Sequence, residues 1–320
     1  MLSGPVSGYR ERLPAPEEAG PVPVPLGAPH AHDGARDRLV YADGGRLFVV
    51  EGLVSGKART RSLRVSWVST ITALMLHGDI VYVGGQAPFG LLLGLVLLGD
   101  KLEWRPMEIP ADAHGSPGKG IDGFALHGRR LIVVDDVVFP YYFLVYDLRE
   151  AAYPMCVDLR MFHGHVSSMA YGHGLLALRQ IRPNRRQIRR FTRLYDLATL
   201  DERGSLEGPE GASEWGDTPG IPGVAFAEGK LLMAQGEQGL GVLDLGALEG
   251  GHLLLPSLES AMPVPEGVMG VLDGRLLSPS LGSVVPVPEG AVVGVIPADA
   301  GLVFAVVRGR WGLDSVLVRY

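Results

Sequence analysis

An all-β fold built from one repeated hairpin is what this sequence predicts. Glycine (45) and proline (24) together exceed a fifth of the 320 residues, against an ordinary usage of roughly 12%, so the elements are short and the turns frequent. From Leu39 onward, apolar runs of four to eight residues rich in Val, Ile, Leu and Tyr alternate with Gly, Asp, Pro and Ser clusters, the pattern of strands rather than helices. One template also recurs. Ile71 to Gly78, Ile121 to Gly128, Val166 to Gly174 and Ile221 to Gly229 each run from a branched apolar residue through a variable and a small one into an apolar strand that ends at a Gly turn.

Each copy is followed at once by a second strand, at Ile80 to Val83, Leu131 to Val134, Leu175 to Leu178 and Leu231 to Met233. Weaker copies stand at Leu39 to Val50, Val268 to Leu277 and Val292 to Val307, making seven hairpins. Second strands start near residues 47, 80, 131, 175, 231, 276 and 302, a mean step of about 42, inside the ~40 to 50 residues of a four-stranded propeller blade. The prediction is a β-propeller over residues 37–320 with seven blades. Because the last step, 276 to 302, is only 26 residues, a six-bladed ring with an extra hairpin stays open. Small residues at the third template position (Ala73, Gly123, Ser168, Gly223) suit innermost strands crowded around an axis, and faces that no single blade buries alone must stack until none is left open.

Residues 1–36 hold seven prolines and neither strand nor helix period, and read as a Pro-rich, partly disordered leader. The chain ends on a strand, Ser315 to Tyr320, with no fourth strand behind it. Leader residues around Pro21 to Leu26 fit that outer place, where an edge tolerates proline.

Third strands close on an apolar-Asp-Leu ending at Phe143 to Leu148, Thr192 to Leu197 and Gly241 to Leu245. On these residues the chain, from about 37 to 320, resembles WD-repeat-like β-propellers. It lacks that family's Trp-Asp and Gly-His dipeptides in their usual register, so the resemblance implies the fold and transfers no functional residue.

Apolar residues at 47% and a mean hydropathy of +0.19 supply a large core. The longest apolar stretch, Phe89 to Gly99, is shorter than the ~18 residues of a membrane span, and the amino terminus carries no signal pattern, so a soluble cytoplasmic protein without membrane contact is expected. A net charge of −6 gives no general reason to expect nucleic acid. Arginine outnumbers lysine 25 to 4, a bias read as genomic, bacterial-type base composition. The single cysteine, Cys156, excludes an intrachain disulfide and reads as a small buried hydrophobe.

In a propeller the loops between blades and those joining second to third strands gather on one face, where a ligand is met. Asp112 to Asp122 there is Gly-rich and contains His114 and Lys119, but Ala113 and Gly120 break the phosphate-loop spacing. His30 with His32 and His163 with His165 alternate as a metal pair would in an extended segment, without a third ligand. Thr72, Asp122, Ser167 and Pro222 form a ring of small groups at the start of the innermost strands. Asp135 and Asp136, adjacent at a strand end, are expected on opposite faces, a poor geometry for a carboxylate dyad.

Charge placement is the sharpest local feature. Arg179, Arg182, Arg185, Arg186, Arg189, Arg190 and Arg193 fall within fifteen residues with no acid between them, and the remainder of the chain stands at −13. The run is expected to form the second-to-third-strand hairpin of the fourth blade, with guanidinium groups suited to an anionic surface. The acids from Asp201 to Asp217 offer the competing role of partners across the hairpin.

The expectation is therefore a non-enzymatic interaction scaffold with no cofactor or metal. It binds another protein, one with an acidic surface, through Arg182, Arg185, Arg186, Arg189, Arg190, His114, Lys119, Asp122, His163 and His165. The alternatives are a channel-mouth hydrolase or lyase using Asp122, His114 and His163, and a small-molecule sensor.

Overall fold

The computed structural model describes residues 23–24, 28–52, 59–65, 67–88, 90–111, 120–136, 140–184, 187–207, 224–227, 229–234, 240–246, 249–253, 260–264, 267–272, 275–277, 284–285, 287, 291–299, 302–309 and 312–319. Among the described residues the strands pair into seven four-stranded antiparallel sheets. Sheet I comprises His30–Asp33, Arg38–Asp43, Arg46–Glu51 and Arg59–Arg64; sheet II, Thr70–His77, Ile80–Ala87, Gly90–Leu98 and Leu102–Pro106; sheet III, Gly123–His127, Arg130–Asp135, Tyr141–Asp147 and Met155–Phe162. Sheet IV comprises His165–Gly172, Leu175–Asn184, Gln187–Asp196 and Glu202–Glu207; sheet V, Val224–Ala227, Lys230–Ala234, Leu240–Asp244 and Glu249–Leu253; sheet VI, Ser260–Val264, Gly267–Leu272, Arg275–Leu277 and Val284–Val285. Sheet VII takes Ala291–Asp299, Leu302–Gly309 and Gly312–Arg319, and its outermost strand is Pro23–Val24. No described helix is long and apolar enough to cross a membrane.

The recurring template explains the hairpins. Its terminal glycines, Gly78, Gly128, Gly174 and Gly229, all sit at positive φ between 58° and 75°, as the tight turn between twisted antiparallel strands requires. Two weaker copies are offset by one strand from the sequence reading. Leu39 to Val50 and Val268 to Leu277 are second and third strands, because the true first strands, His30–Asp33 and Ser260–Val264, are disguised by histidines, an aspartate and Pro263. The sheets therefore start earlier than residue 37, and the short step of 26 residues disappears, since the second strands of sheets VI and VII begin at Gly267 and Leu302.

The chain divides into two compact units: Ala28–Val166 with Asp196–Asp201, and Met1–Gly27 with Ser167–Tyr195 and Glu202–Tyr320. In the first, sheet II is buried on both faces. One meets Val40, Ala42, Leu47 and Val49 of sheet I; the other meets Phe124, Leu131, Val133, Leu144 and Tyr146 of sheet III. In the second unit, Ala177 and Leu194 of sheet IV pack on Val224, Leu231 and Leu243 of sheet V. Sheet faces with apolar side chains on every other residue, and central strands apolar throughout, dictate this stacking.

Cys156 is half-buried on the outermost strand of sheet III rather than in the deep core, because outer strands have only one neighbour. Its Sγ lies 3.6 Å from the Asp158 carbonyl, and burial raises its thiol above the usual range.

Three phenols are sealed in the first unit. Tyr41 stacks on Phe48 at 4.9 Å, Tyr82 donates to the Ala151 carbonyl (3.3 Å) and Tyr146 to the Glu108 carbonyl (2.6 Å). Burial pushes Tyr41 and Tyr82 up to about 12 and Tyr146 higher still. Unfolded tyrosine ionises near pH ~10, so above that pH the unfolded chain holds fewer protons than the native one. Stability is then expected to fall between about pH 10 and 12 by up to ~1.4 kcal/mol per pH unit for each such tyrosine. Urea unfolding at stepped alkaline pH, read beside phenolate absorbance, checks this.

Candidate functional site

In a four-stranded meander the second-to-third-strand turn and the two chain ends lie at one end of the sheet. In sheets I, II and III the described residues at this end include the turn at Gly44–Gly45, Val65, residues 67–69, 120–122, 136, 140 and 163–165.

Four side chains converge there. The Asp122 carboxylate accepts the Asp136 backbone N–H at 2.9 Å. Asp136, 1% exposed, accepts the Val166 N–H at 2.7 Å and lies 3.5 Å from His165 Nδ1. The Tyr141 hydroxyl is 3.0 Å from His165 Nε2, with the rings tilted at 5.0 Å. Burial first, then the Asp136 and Asp122 charges, raise the Tyr141 phenol above its ordinary range. Chemically, the cluster holds the end of one strand pair against the start of the next strand: the carboxylates are engaged by backbone amides, and the imidazole is gripped between phenol and carboxylate. Thr72 does the same for its neighbour, donating to the Ile121 carbonyl at 2.8 Å, and in the second unit Ser167 donates to the Arg179 carbonyl at 3.3 Å. The expected ring of small polar groups is thus, where described, engaged in structural hydrogen bonds. Among the described residues no group of three His, Cys, Asp or Glu side chains is placed to hold a metal ion.

His163 is exposed, whereas His165 turns onto Tyr141. Gly164 between them takes φ +100°, so the two histidines do not share one extended segment and their rings are not aimed as a pair. Asp135 and Asp136 are both buried. The strand ends at Asp135, so strict alternation does not continue into Asp136, which turns toward Val166. His114 and Lys119 lie outside the described residues.

Trp67, which sequence reasoning missed, is 82% exposed and adopts φ +67°, an uncommon conformation for a bulky residue. Its segment is nonetheless firmly held. Val65 N–H donates to the Gly45 carbonyl (3.0 Å), Ile71 N–H to the Gly44 carbonyl (2.8 Å) and Ser69 N–H to the Gln86 carbonyl (2.9 Å). Gly45 permits this, because a Cβ there would lie 2.5 Å from the Val68 carbonyl oxygen. In sequence, Val65 to Val68 resembles any apolar strand; only the hydrogen bonding that makes it a loop reveals the indole as surface.

The arginine run occupies Leu175–Asn184 and Gln187–Asp196, the second and third strands of sheet IV, with residues 185–186 between them. Arg179 is buried. Arg193 stacks over the Phe191 ring at 5.0 Å and reaches Glu202 at 3.6 Å, so this arginine does pair with the following acidic segment. The side chains of Arg182, Arg185, Arg186, Arg189 and Arg190 lie outside the described residues.

No protein-family model matches the chain, and no curated protein matches it. Solved structures do. The Myceliophteria thermophila Cps50 (Swd1) β-propeller domain is 13% identical, with 93% of this chain and 98% of that one covered at a TM-score of 0.57. Sqt1 of Saccharomyces cerevisiae is 12% identical, with 92% and 85% covered at 0.51. At these identities the likeness concerns architecture, and it agrees with the stacked four-stranded sheets: this chain has a WD-repeat-like β-propeller fold.

Proposed function

We propose that the protein is a non-enzymatic scaffold that binds another protein at the end of the sheets carrying the inter-sheet and second-to-third-strand loops. The observation that supports this reading is Trp67: a large aromatic side chain almost wholly in solvent on a segment fixed by three backbone hydrogen bonds. Exposed tryptophan on a rigid support makes an interface anchor, since little conformational entropy is lost when it is covered. Strain at a non-glycine residue with positive φ also concentrates at binding sites. Independently of Trp67, the arginine run of sheet IV, read from the sequence, is proposed to favour a partner with an acidic surface, since guanidinium forks recognise carboxylates bidentately.

Affinity purification from the native host, followed by comparison of variants against the recovered partner, tests this. Trp67→Ala is expected to weaken capture about 30-fold or more, in the range of interface hot spots. Reversing Arg185, Arg186 and Arg189 to glutamate is expected to slow association and remove its salt dependence. Undiminished recovery with both variants would refute the reading. Stoichiometric zinc or calcium in the purified protein would instead favour the hydrolase alternative.

A further inference from the structure

The outer strands of neighbouring sheets occupy equivalent places and have unlike chemistry. Arg59–Arg64 reads RTRSLR, Leu102–Pro106 reads LEWRP and Glu202–Glu207 reads ERGSLE. Charge and proline on such strands keep an unpaired edge from recruiting another strand. Met155–Phe162 reads MCVDLRMF and sets only one acid and one base, Asp158 and Arg160, which neutralise each other, among exposed apolar side chains: Met155 is 66% exposed, Val157 52% and Met161 59%. Among the described residues it pairs on one side only, with Tyr141–Asp147. A bulge at Val157 interrupts the register, but from Asp158 to Phe162 the strand runs regularly against Tyr141 to Val145.

The order of residues on this edge is self-complementary. About a two-fold axis through Leu159, an antiparallel copy of the same strand sets Asp158 opposite the second copy's Arg160, and Arg160 opposite its Asp158. Leu159 meets its own counterpart, and Met161 meets the Cys156–Val157 bulge. Within one chain Asp158 and Arg160 already bond at 2.9 Å, with both side chains about half exposed, so exchanging partners across the axis costs little. There is room beside them. A groove of about 550 Å³ runs along this face of the strand, lined among others by Arg130, Asp158, Arg160, Thr199 and Asp201, its far wall fixed by the Arg130 bond to the Ala198 carbonyl at 2.8 Å.

We infer that Met155–Phe162 is a homotypic docking edge, through which two copies of this chain join sheet III to sheet III about Leu159. Backbone pairing and the covered Met, Val and Leu side chains supply the attraction, while the two opposite-charge pairs fix the register. One strand per copy buries less than the ~800 Å² a side typical of stable complexes, so the dimer is weak and concentration-dependent.

Sedimentation velocity of the full chain from about 1 to 300 µM tests this. The wild type is expected to shift from monomer toward dimer across that range. Asp158→Arg and Arg160→Asp each set like charges opposite one another twice and are expected to weaken association about tenfold or more. An equimolar mixture of these two variants restores both opposite-charge pairs and is expected to regain wild-type association. Met161→Lys, at an exposed position, is expected to weaken the dimer while leaving thermal unfolding unchanged. A wild type that stays monomeric throughout, single variants that associate as well as the wild type, or a mixture no better than its components would overturn the proposal.

Discussion

Replacing Asp136 by alanine is expected to lower the unfolding free energy by about 3 kcal/mol, as in the loss of a buried, charge-assisted hydrogen bond. The carboxylate is 1% exposed and accepts the Val166 N–H at 2.7 Å. Its loss removes the Val166 N–H's carboxylate acceptor at the point where one sheet hands the chain to the next. His165 loses its carboxylate neighbour at 3.5 Å, leaving Tyr141 as the ring's remaining described contact. The Asp136 backbone N–H still reaches Asp122, so the damage is confined to the carboxylate side. Asp136→Asn keeps an acceptor oxygen and is expected to recover half or more of the loss; Asp122→Ala, whose bond is to a single backbone N–H at 2.9 Å, should cost about 1–2 kcal/mol. Urea unfolding of the three variants measures the ordering, and a loss below about 1 kcal/mol for Asp136→Ala would mean that water reaches the Val166 amide.

The repeat was legible because its cause is local. A Gly turn between two apolar strands needs only short-range chemistry, and glycine at positive φ at Gly78, Gly128, Gly174 and Gly229 marks it in four copies. First strands without apolar runs were not legible: His30–Asp33 pairs with Arg38–Asp43 across a short turn, but two histidines and an aspartate give it no apolar run to mark it as a strand. The same limit governed the site. Asp122 and His165 could be singled out as polar residues near turns, but their association with Asp136 and Tyr141 depends on where a strand stops. Alternation predicts opposite faces for Asp135 and Asp136 only while the strand lasts. Trp67 was hidden for the opposite reason, since a residue type usually buried gave no sign of being outside.

Changing Val24 to aspartate is expected to uncouple the amino-terminal strand from sheet VII, because the strand detaches before it buries an unpaired charge, and so to cost the whole of the strand's net docking free energy, about 1–2 kcal/mol. Pro23 and Val24 pair with Val316 and Ser315, and Val24 is 1% exposed, so two residues supply a fourth strand to Ala291–Asp299, Leu302–Gly309 and Gly312–Arg319. Proline fits there because an outermost strand has one side on which no N–H is needed. Burying the valine is worth roughly 1.5–3 kcal/mol, of which ordering so short a segment consumes a large part. Val24→Ala keeps the strand docked and should lose less, about 1 kcal/mol or below. Deleting residues 1–27 goes further, because it leaves Gly312–Arg319 as a long uncovered edge open to pairing with other chains. That variant is expected to melt several degrees lower and to scatter light on heating at concentrations where the wild type stays clear. If the deletion instead melted at the wild-type temperature, the strand would be an ornament on a sheet already complete with three members. If Val24→Asp alone were neutral, the packing of this side chain against sheet VII would contribute nothing to holding the strand in place.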